Sequence, residues 1–218
     1  MNYLNAFIET FLVVVISTSL SYLVGLPLGV LLNISSKEGI KPNKWLNRIL
    51  GLIINVLRSI PCLIIIVLAL PITRAIFGRG TGAWYIMIIP LFLTSFAYVA
   101  RVVEQSLSEV DLGVIEAAKS MGATNMQIIK KVLLRESRSS IIMGLAVTLV
   151  SIIGYTSFAY DFAGGGLISE IYKIYRYHPQ DYLKETSFWI ALIMVILFVQ
   201  LIQQGGLLIA KKLDKRRK

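Results

Sequence analysis

Residues Val114–Leu134 read VIEAAKSMGATNMQIIKKVLL, a polar and basic stretch inside a sequence that is otherwise apolar. Its first part contains four strong helix formers, namely Glu116, Ala117, Ala118 and Lys119. Gly122 can take the left-handed conformation that ends a helix. Thr124 and Gln127 have the spacing of a capping box, which starts a new helix. The stretch therefore predicts two short helices joined at a glycine. Such an element is either a docking site for another protein or an ordinary solvated loop.

The remainder of the chain has the composition of a membrane protein. Its 218 residues are 56% hydrophobic and 16% charged, with a mean hydropathy of +0.73, whereas soluble domains carry about 25% charged residues. A membrane-spanning helix needs about 20 mostly apolar residues. Four segments without a charge are long enough: Thr10–Ser36, Gly80–Ala100, Ser139–Tyr160 and Thr186–Ala210. We expect one all-α membrane domain over residues 1–218 with about five transmembrane helices, the fifth within Ile49–Thr73.

Arg58 is the one charge within the fifth candidate span, and a charge at the centre of a bilayer costs about 2.5 kcal/mol or more. It belongs to a polar stripe with helical spacing, made of Lys44, Asn47, Arg48, Gly51, Asn55 and Arg58. The stripe lies either at the membrane surface, with the span starting near Ser59 and Pro61 in its first turn, or inside a helix bundle. We favour the first arrangement.

The distribution of Lys and Arg predicts the orientation of five spans. The loops on the side of Val114–Leu134, together with the C-terminal tail, carry 16 of these residues when Arg58 is left out. The other side carries five, which are Arg74, Arg79, Lys173, Arg176 and Lys184. Because basic residues concentrate in cytoplasmic loops, we expect the N-terminus outside and the C-terminus in the cytoplasm. The formal net charge of +10 then indicates membrane lipid, and no nucleic acid, as its partner.

Several motifs resemble those of ATP-binding cassette (ABC) importer permeases. Glu116-Ala117-Ala118, followed by Gly122 and by the apolar Ile128, Ile129, Leu133 and Leu134, is similar to the Glu-Ala-Ala loop of that superfamily. The chain resembles the methionine-importer branch at four further places, which are Arg58–Pro61, Ala100–Glu104, Met121–Thr124, and Gly154-Tyr155 with Gly164–Leu167. The resemblance extends from about Asn55 to the C-terminus. One departure is Arg135, which stands where the family usually has a proline.

The resemblance implies a function and a set of partners. It implies a non-catalytic permease of the bacterial plasma (inner) membrane that passes methionine or a related amino acid. In the family the loop docks on a separate ATP-binding subunit, which implies that the coupling site consists of Glu116, Ala117, Ala118, Gly122 and Ala123. Two copies of the chain would form the pathway, and an extracytoplasmic binding protein would deliver the cargo. ATP and Mg²⁺ would be bound by the partner subunit, and this chain would hold no cofactor or metal.

Other assignments differ in energy source or in cargo. A secondary transporter or channel acting alone would need no ATPase, but proton coupling usually requires an intramembrane Asp, Glu or His, and the four uncharged spans have none. The sequence also lacks the Gly-x-x-x-x-Gly-Lys-Ser/Thr loop that cradles the phosphates of ATP, so ATP coupling would come from another chain. The same machine with a different amino acid, a peptide or an osmolyte as cargo is the nearer alternative.

The third of the uncharged spans carries hydroxyl and aromatic groups that suit an uncharged passage for a zwitterion. These groups are Ser151, Tyr155, Ser157 and Tyr160. Helical spacing places Ser151, Tyr155 and Phe158 on one face, with Ser157 to one side of it and with Tyr160 at the outer mouth beside Asp161. Packing against other helices is the alternative role. Beyond them, three glycines predict a flexible break. Leu167–Tyr177 is expected to form a short re-entrant or extracellular helix of an outer gate, with a plain loop as the alternative.

Overall fold

The computed structural model describes residues 3–158, 162 and 165–214, and the regular elements of this part are all helical. The long and intermediate helices are α1 (Tyr3–Ser35), α2 (Lys44–Ser59), α3 (Cys62–Phe77), α4 (Ile88–Ser108), α5 (Leu112–Ser120), α8 (Arg138–Tyr155), α9 (Leu167–Tyr177) and α10 (Thr186–Leu213). Between α5 and α8 lie α6 (Asn125–Gln127), a π-helical segment (Ile128–Leu133) and α7 (Leu134–Glu136). Short 3₁₀ turns occupy Trp84–Met87, Thr156–Phe158 and Tyr182–Lys184.

The number of candidate spans agrees with the prediction. Four helical stretches are long and apolar enough to cross a membrane, and there are five if α2 and α3, which are separated by a bend, count as one span. The predicted boundaries shift at the second uncharged segment. Helix α4 begins only after the turn Trp84–Met87, not at Gly80, because Gly78 and Gly82 have φ values of 70° and 87° that interrupt a helix. It then continues to Ser108.

Contacts between residues divide the chain into two compact units. The first unit comprises Met1–Leu20, Ile60–Ser95 and Thr148–Gln204. Its core contains side chains from α1, α3, α4, α8 and α10, and the buried members are Val13, Val14, Ile66, Met87, Leu91, Ile152, Ile153 and Phe198. Apolar side chains of different helices therefore account for the packing of this unit.

The second unit comprises Ser21–Ser59, Phe96–Val147 and Gly205–Lys218. One of its core clusters joins α4 to the stretch first quoted and contains the buried Val99, Val103, Leu107, Val110, Ile115, Ala118, Ile128 and Leu133. A second cluster joins α1, α2 and α4 through Leu32, Ile54, Ala97 and Ala100. The short helices after α4 are thus part of a packed core rather than a loose loop.

Two glycines of the second unit let α1 approach α4 closely. A Cβ atom at Gly25 would lie 2.7 Å from the carbonyl oxygen of Phe96, and one at Gly29 would lie 2.5 Å from that of Ala100. No side chain fits at either position without displacing backbone. The Gly-x-x-x-Gly spacing therefore serves helix packing within this chain.

The helix is interrupted close to Arg58, near the predicted start of the span at Ser59. Helix α2 ends at Ser59 and α3 begins at Cys62, directly after Pro61, so proline precedes the first turn instead of lying in it. The polar stripe of α2 is not simply solvated, because the amide of Asn47 donates to the carbonyl oxygen of Leu32 at 2.8 Å. Arg58 itself is exposed at the end of α2. The break agrees with a helix that starts near Pro61, part of the stripe packs against α1, and the position of the stripe at the membrane surface stays a prediction.

Candidate functional site

Residues Leu112–Glu136, hereafter the elbow, begin with a helix that is capped at both ends. The carboxylate of Asp111 accepts a hydrogen bond from the Gly113 N–H at 2.6 Å and caps the start of α5. At the other end the Gly122 N–H donates to the carbonyl of Lys119 at 2.9 Å. The Ala123 N–H donates to the carbonyl of Ala118 at 3.1 Å. This pair of bonds is a Schellman motif, and the φ value of +79° at Gly122 supplies the left-handed residue that the motif requires.

The second arm of the elbow starts with the predicted capping box. The Gln127 N–H donates to the Thr124 hydroxyl at 3.3 Å, and the Gln127 side-chain oxygen accepts from the Thr124 N–H at 2.8 Å. The helix then widens over Ile128–Leu133, where the Leu134 N–H reaches the carbonyl of Ile129 five residues back. Such π-helical segments are rare and often occur at functional sites. The capping box is confirmed, and the π-helical segment is a feature that the sequence did not reveal.

One side of the elbow is buried within the second unit. Ile115 and Ala118 of the first arm and Ile128 and Leu133 of the second belong to the core cluster that includes residues of α4. The sequence grouped Ala118 with the docking residues, but its side chain is only 6% exposed. Its methyl group packs in the core and positions α5, so it presents almost no surface to a partner.

The opposite side of the elbow is exposed and apolar. Val114, Ala117 and Met121 are spaced i, i+3 and i+7, so they share one face of the helix and its end. Val114 is 46% exposed and Met121 is 81% exposed. Met126, in the second arm, is exposed as well. Exposed methionines suit an adaptable protein contact. The sequence did not single out Val114 and Met121. A helical projection with Ile115 on the buried side would have placed them on the exposed side.

The remaining predicted coupling residues lie around this face. Glu116 and Gly122 are exposed, and Ala123 is partly buried. A Cβ at Gly122 would meet no heavy atom within 4 Å. The structure therefore places the apolar face (Val114, Ala117, Met121), the Glu116 carboxylate and the accessible turn at Gly122 on one folded element.

Arg101 links α4 to α2 within the second unit. Its guanidinium contacts the Glu104 carboxylate at 2.5 Å, the carbonyl oxygen of Gly51 at 3.1 Å and the side-chain oxygen of Asn55 at 2.9 Å. The Arg101 and Glu104 side chains are each 19% exposed. A fork-shaped guanidinium can hold several acceptors in fixed geometry. The polar residues of α2 thus find partners on α4, which the motif Ala100–Glu104 alone did not indicate.

The predicted path residues lie at the end of α8 in the first unit. Ser151, Tyr155 and Ser157 are all partly buried, and the Tyr155 ring packs against the core cluster of that unit. The α-helix ends at Tyr155 and continues as a 3₁₀ turn, Thr156–Phe158. The predicted helical face therefore does not extend to Phe158, because a 3₁₀ turn has a different angular spacing. Tyr160 and Asp161 lie outside the described residues.

The outer helix that the sequence predicted is α9, and α1 caps its start. The Glu9 carboxylate accepts from the Gly166 N–H at 2.9 Å, and the Thr10 hydroxyl accepts from the Leu167 N–H at 2.9 Å. Gly166 has a φ value of 89°. A carboxylate at a helix N-terminus is favoured by the helix dipole. These contacts tie Gly166 and Leu167 to α1 and show why the helix begins at Leu167.

Metal-ligating side chains do not cluster in the described part of the chain. Within the described ranges, no three His, Cys, Asp or Glu side chains are grouped so that they could hold a metal ion. What the site offers is an exposed apolar face on a folded element that packs against a candidate spanning helix. These features define the class as a helical membrane protein with an exposed, folded elbow between its candidate spans.

The chain belongs to the family of binding-protein-dependent transport system inner membrane components, whose family model matches residues 25–215. A probable D-methionine transport system permease protein, MetI, from Vibrio cholerae serotype O1 is 38% identical over 213 residues, which cover 98% of this chain and 92% of that protein. The protein of the same name from Haemophilus influenzae is 38% identical over 208 residues, which cover 95% of each.

Solved structures show the same fold. A crystal form of the MetNI methionine ABC transporter in inward facing conformations matches with a TM-score of 0.87 and 35% identity, over 94% of this chain and 93% of that chain. An amino acid ABC transporter crystallised with histidines matches with a TM-score of 0.69 over 98% of this chain and 93% of that chain. At 18% identity, the latter shows the fold alone.

Proposed function

We propose that this chain is the membrane permease subunit of an ABC importer for methionine or a close relative of methionine. The observation that carries the proposal is similarity along the whole chain: 38% identity over 98% of its length to a probable D-methionine permease. The TM-score of 0.87 to the methionine transporter MetNI supports it. Shared fold alone would not indicate a cargo, but here sequence and fold point to the same transporter.

In this proposal the elbow couples transport to ATP hydrolysis in a partner subunit. Two copies of the chain form the pathway around a two-fold axis, and each elbow contacts one ATP-binding subunit, which binds ATP and Mg²⁺. The exposed Val114, Ala117 and Met121 supply the apolar contact, with Glu116, Gly122 and Ala123 around them. Because the other side of the elbow is packed on α4, movement of the elbow is passed to a candidate spanning helix.

The proposed path carries no charge along α8 after its first residue. Ser151, Tyr155 and Ser157 line it, and Tyr160 stands at its outer mouth. Hydroxyl and aromatic groups give a zwitterion hydrogen bonds and apolar contact without trapping it by a fixed charge. A binding protein delivers the cargo on the outer side, near α9 and the glycine break. Tyr160→Ala is expected to change the transport rate or cargo preference more than it changes assembly with the ATP-binding subunits.

We place the elbow and the C-terminus in the cytoplasm and the N-terminus outside. The second unit contains 13 of the described basic residues, whereas the first contains only Arg74, Arg79, Lys173, Arg176 and Lys184. This asymmetry supports the orientation, because Lys and Arg concentrate on the cytoplasmic side. The second unit contains the elbow, so the ATP-binding subunits would meet it from the cytoplasm.

A cell-based test separates this proposal from its alternatives. The chain is produced in bacteria that lack their own methionine importer, with and without its partner ATP-binding subunit, and uptake of labelled L- and D-methionine is measured. We expect uptake only with the partner present, and none when the ATP-binding subunit carries an inactive phosphate loop. Uptake by the chain alone would identify a secondary transporter or channel. Partner-dependent uptake of a different solute would retain the ABC mechanism and change the cargo.

A further inference from the structure

An open cavity of about 760 Å³ lies in the second unit, where the loop after α1 leads into α2. Its lining consists of Ser35, Lys37, Pro42, Lys44, Asn47 and Arg48. Three of these side chains are cationic and none is a carboxylate. Clustered cations around a concave surface attract anions and raise their local concentration. The cavity therefore has the charge of an anion-binding site, and no step of the transport mechanism described above uses it.

The backbone around this cavity is fixed by hydrogen bonds. The Lys41 N–H donates to the carbonyl of Ile34 at 3.0 Å, and the Asn43 N–H donates to the carbonyl of Ser35 at 3.0 Å. The Asn43 side-chain oxygen accepts from the Leu46 N–H at 3.0 Å and caps the start of α2. The first two bonds satisfy carbonyl groups at the end of α1, which would otherwise repel an anion. The loop is thus held in a defined shape with its cations around the cavity.

An exposed apolar stripe begins beside the cavity and runs along α2. Its members are Trp45, Ile49, Leu52 and Val56, with the helical spacing i, i+4, i+7 and i+11 of a single face. Trp45 is 74% exposed and Leu52 is 64% exposed. At 1.5 Å per residue the stripe is about 16 Å long. Tryptophan is enriched at the boundary between lipid headgroups and acyl chains, and Trp45 directly follows the cavity residue Lys44.

We propose that this surface binds an anionic phospholipid, with the phosphate headgroup in the cavity and an acyl chain along the stripe. Charge complementarity favours this occupant, because the headgroup neutralises Lys37, Lys44 and Arg48 while the stripe takes the chain. A second copy of this chain is a poorer occupant, because a two-fold contact would bring the same cations to the cavity and leave their charge unneutralised. The proposal does not depend on the cargo, and it uses the proposed orientation only to assign the lipid to the inner leaflet.

Trp45 itself reports the occupant, because bromine atoms on acyl chains quench tryptophan fluorescence on contact. The purified transporter complex is placed in vesicles of phosphatidylcholine with a smaller share of phosphatidylglycerol in both leaflets. Two samples have the same lipid composition, but the bromine is on the phosphatidylglycerol in one and on the phosphatidylcholine in the other. The Trp45 signal is the difference between the wild type and Trp45→Phe. We expect labelled phosphatidylglycerol to quench Trp45 far more than its share of the lipid predicts.

Removal of the cavity cations tests the headgroup site. Each basic residue near an anionic membrane surface contributes about fivefold to binding, so Lys37→Gln/Lys44→Gln/Arg48→Gln should reduce the quenching to the share of labelled lipid. The tail variant Lys211→Gln/Lys212→Gln/Arg217→Gln removes the same number of charges and should keep the preference. If the triple cavity variant assembles poorly, Lys44→Gln alone should lower the preference about fivefold.

Three results would overturn the proposal. No quenching by either labelled lipid would mean that protein, such as a second copy, covers the stripe. Quenching in proportion to lipid share would mean that lipid contacts the stripe without a headgroup site. Equal loss in the cavity and tail variants would mean that only overall charge matters. None of these readouts requires transport, so a failed uptake experiment leaves this test intact, and the reverse also holds.

Discussion

Gly122→Asp is expected to abolish uptake while the protein still inserts into the membrane. Gly122 has a φ value of +79°, and a Cβ atom there would have no heavy atom within 4 Å. A side chain at this position is therefore not rejected by a clash. Its cost comes from the left-handed backbone and, for aspartate, from a new negative charge on the face that we propose meets the ATP-binding subunit.

The two contributions can be separated by choice of substitution. A left-handed conformation costs an ordinary L-residue about 1–2 kcal/mol, which corresponds to a change of about 5- to 30-fold in the population of the native turn. Gly122→Ala carries this cost alone. Asparagine and aspartate enter the left-handed region more readily, and they have nearly the same shape, so Gly122→Asn is the uncharged control for Gly122→Asp. We expect uptake to decrease in the order Asn, Ala, Asp.

The assay measures ATP-dependent methionine uptake in cells, normalised to the amount of each variant in the membrane fraction. Co-purification of the ATP-binding subunit is measured in parallel, and Gly122→Asp should lose it. Normal uptake by correctly inserted Gly122→Asp would refute the assignment of the elbow as the coupling site. Equal loss in the Asn and Asp variants would show that the backbone conformation, and not an interface at this position, decides the outcome.

Three further predictions concern packing, orientation and the path. Gly29→Ala should destabilise the purified permease by about 1–3 kcal/mol in thermal unfolding, because its Cβ would lie 2.5 Å from a carbonyl oxygen. Gly154→Ala is the control and should not destabilise it, because a Cβ there would have no atom within 4 Å. Equal melting temperatures of the two variants would contradict this. A cysteine at Asn2 should react with an impermeant thiol reagent from outside and one at Ser120 should not, and the opposite pattern would reverse the orientation. Tyr155→Ala should change transport rate or selectivity while the ATP-binding subunits still assemble, and unchanged uptake would remove Tyr155 from the path.

Local chemistry made much of the elbow predictable. A left-handed glycine and a capping box are decided by a few neighbouring residues, and both Gly122 and the Thr124–Gln127 pair behave as the sequence indicates. The break before Cys62 and the bounds of Leu167–Tyr177 likewise follow from proline and glycine. Membrane-spanning helices were recognisable because lipid requires long uncharged segments. The roles assigned to the coupling and path residues remain predictions.

Features that depend on tertiary contacts were not predictable in this way. The π-helical segment Ile128–Leu133 places both Ile128 and Leu133 in the core, and no local sequence pattern predicts it. Ala118 looks like a docking residue in the motif, but its orientation depends on the packing of α5 against α4. The contacts of Arg101 with Gly51 and Asn55 join residues about 50 positions apart. Only the folded chain brings such groups together.

Reconstitution tests the central claim most directly. The chain is purified with its ATP-binding subunits, placed in proteoliposomes with the binding protein on one side, and supplied with ATP on the side of the elbow. The account predicts accumulation of labelled methionine that requires ATP, the binding protein and an intact phosphate loop in the ATP-binding subunit. Methionine flux that continues without ATP hydrolysis, or ATP-driven uptake of another solute with none of methionine, would contradict it.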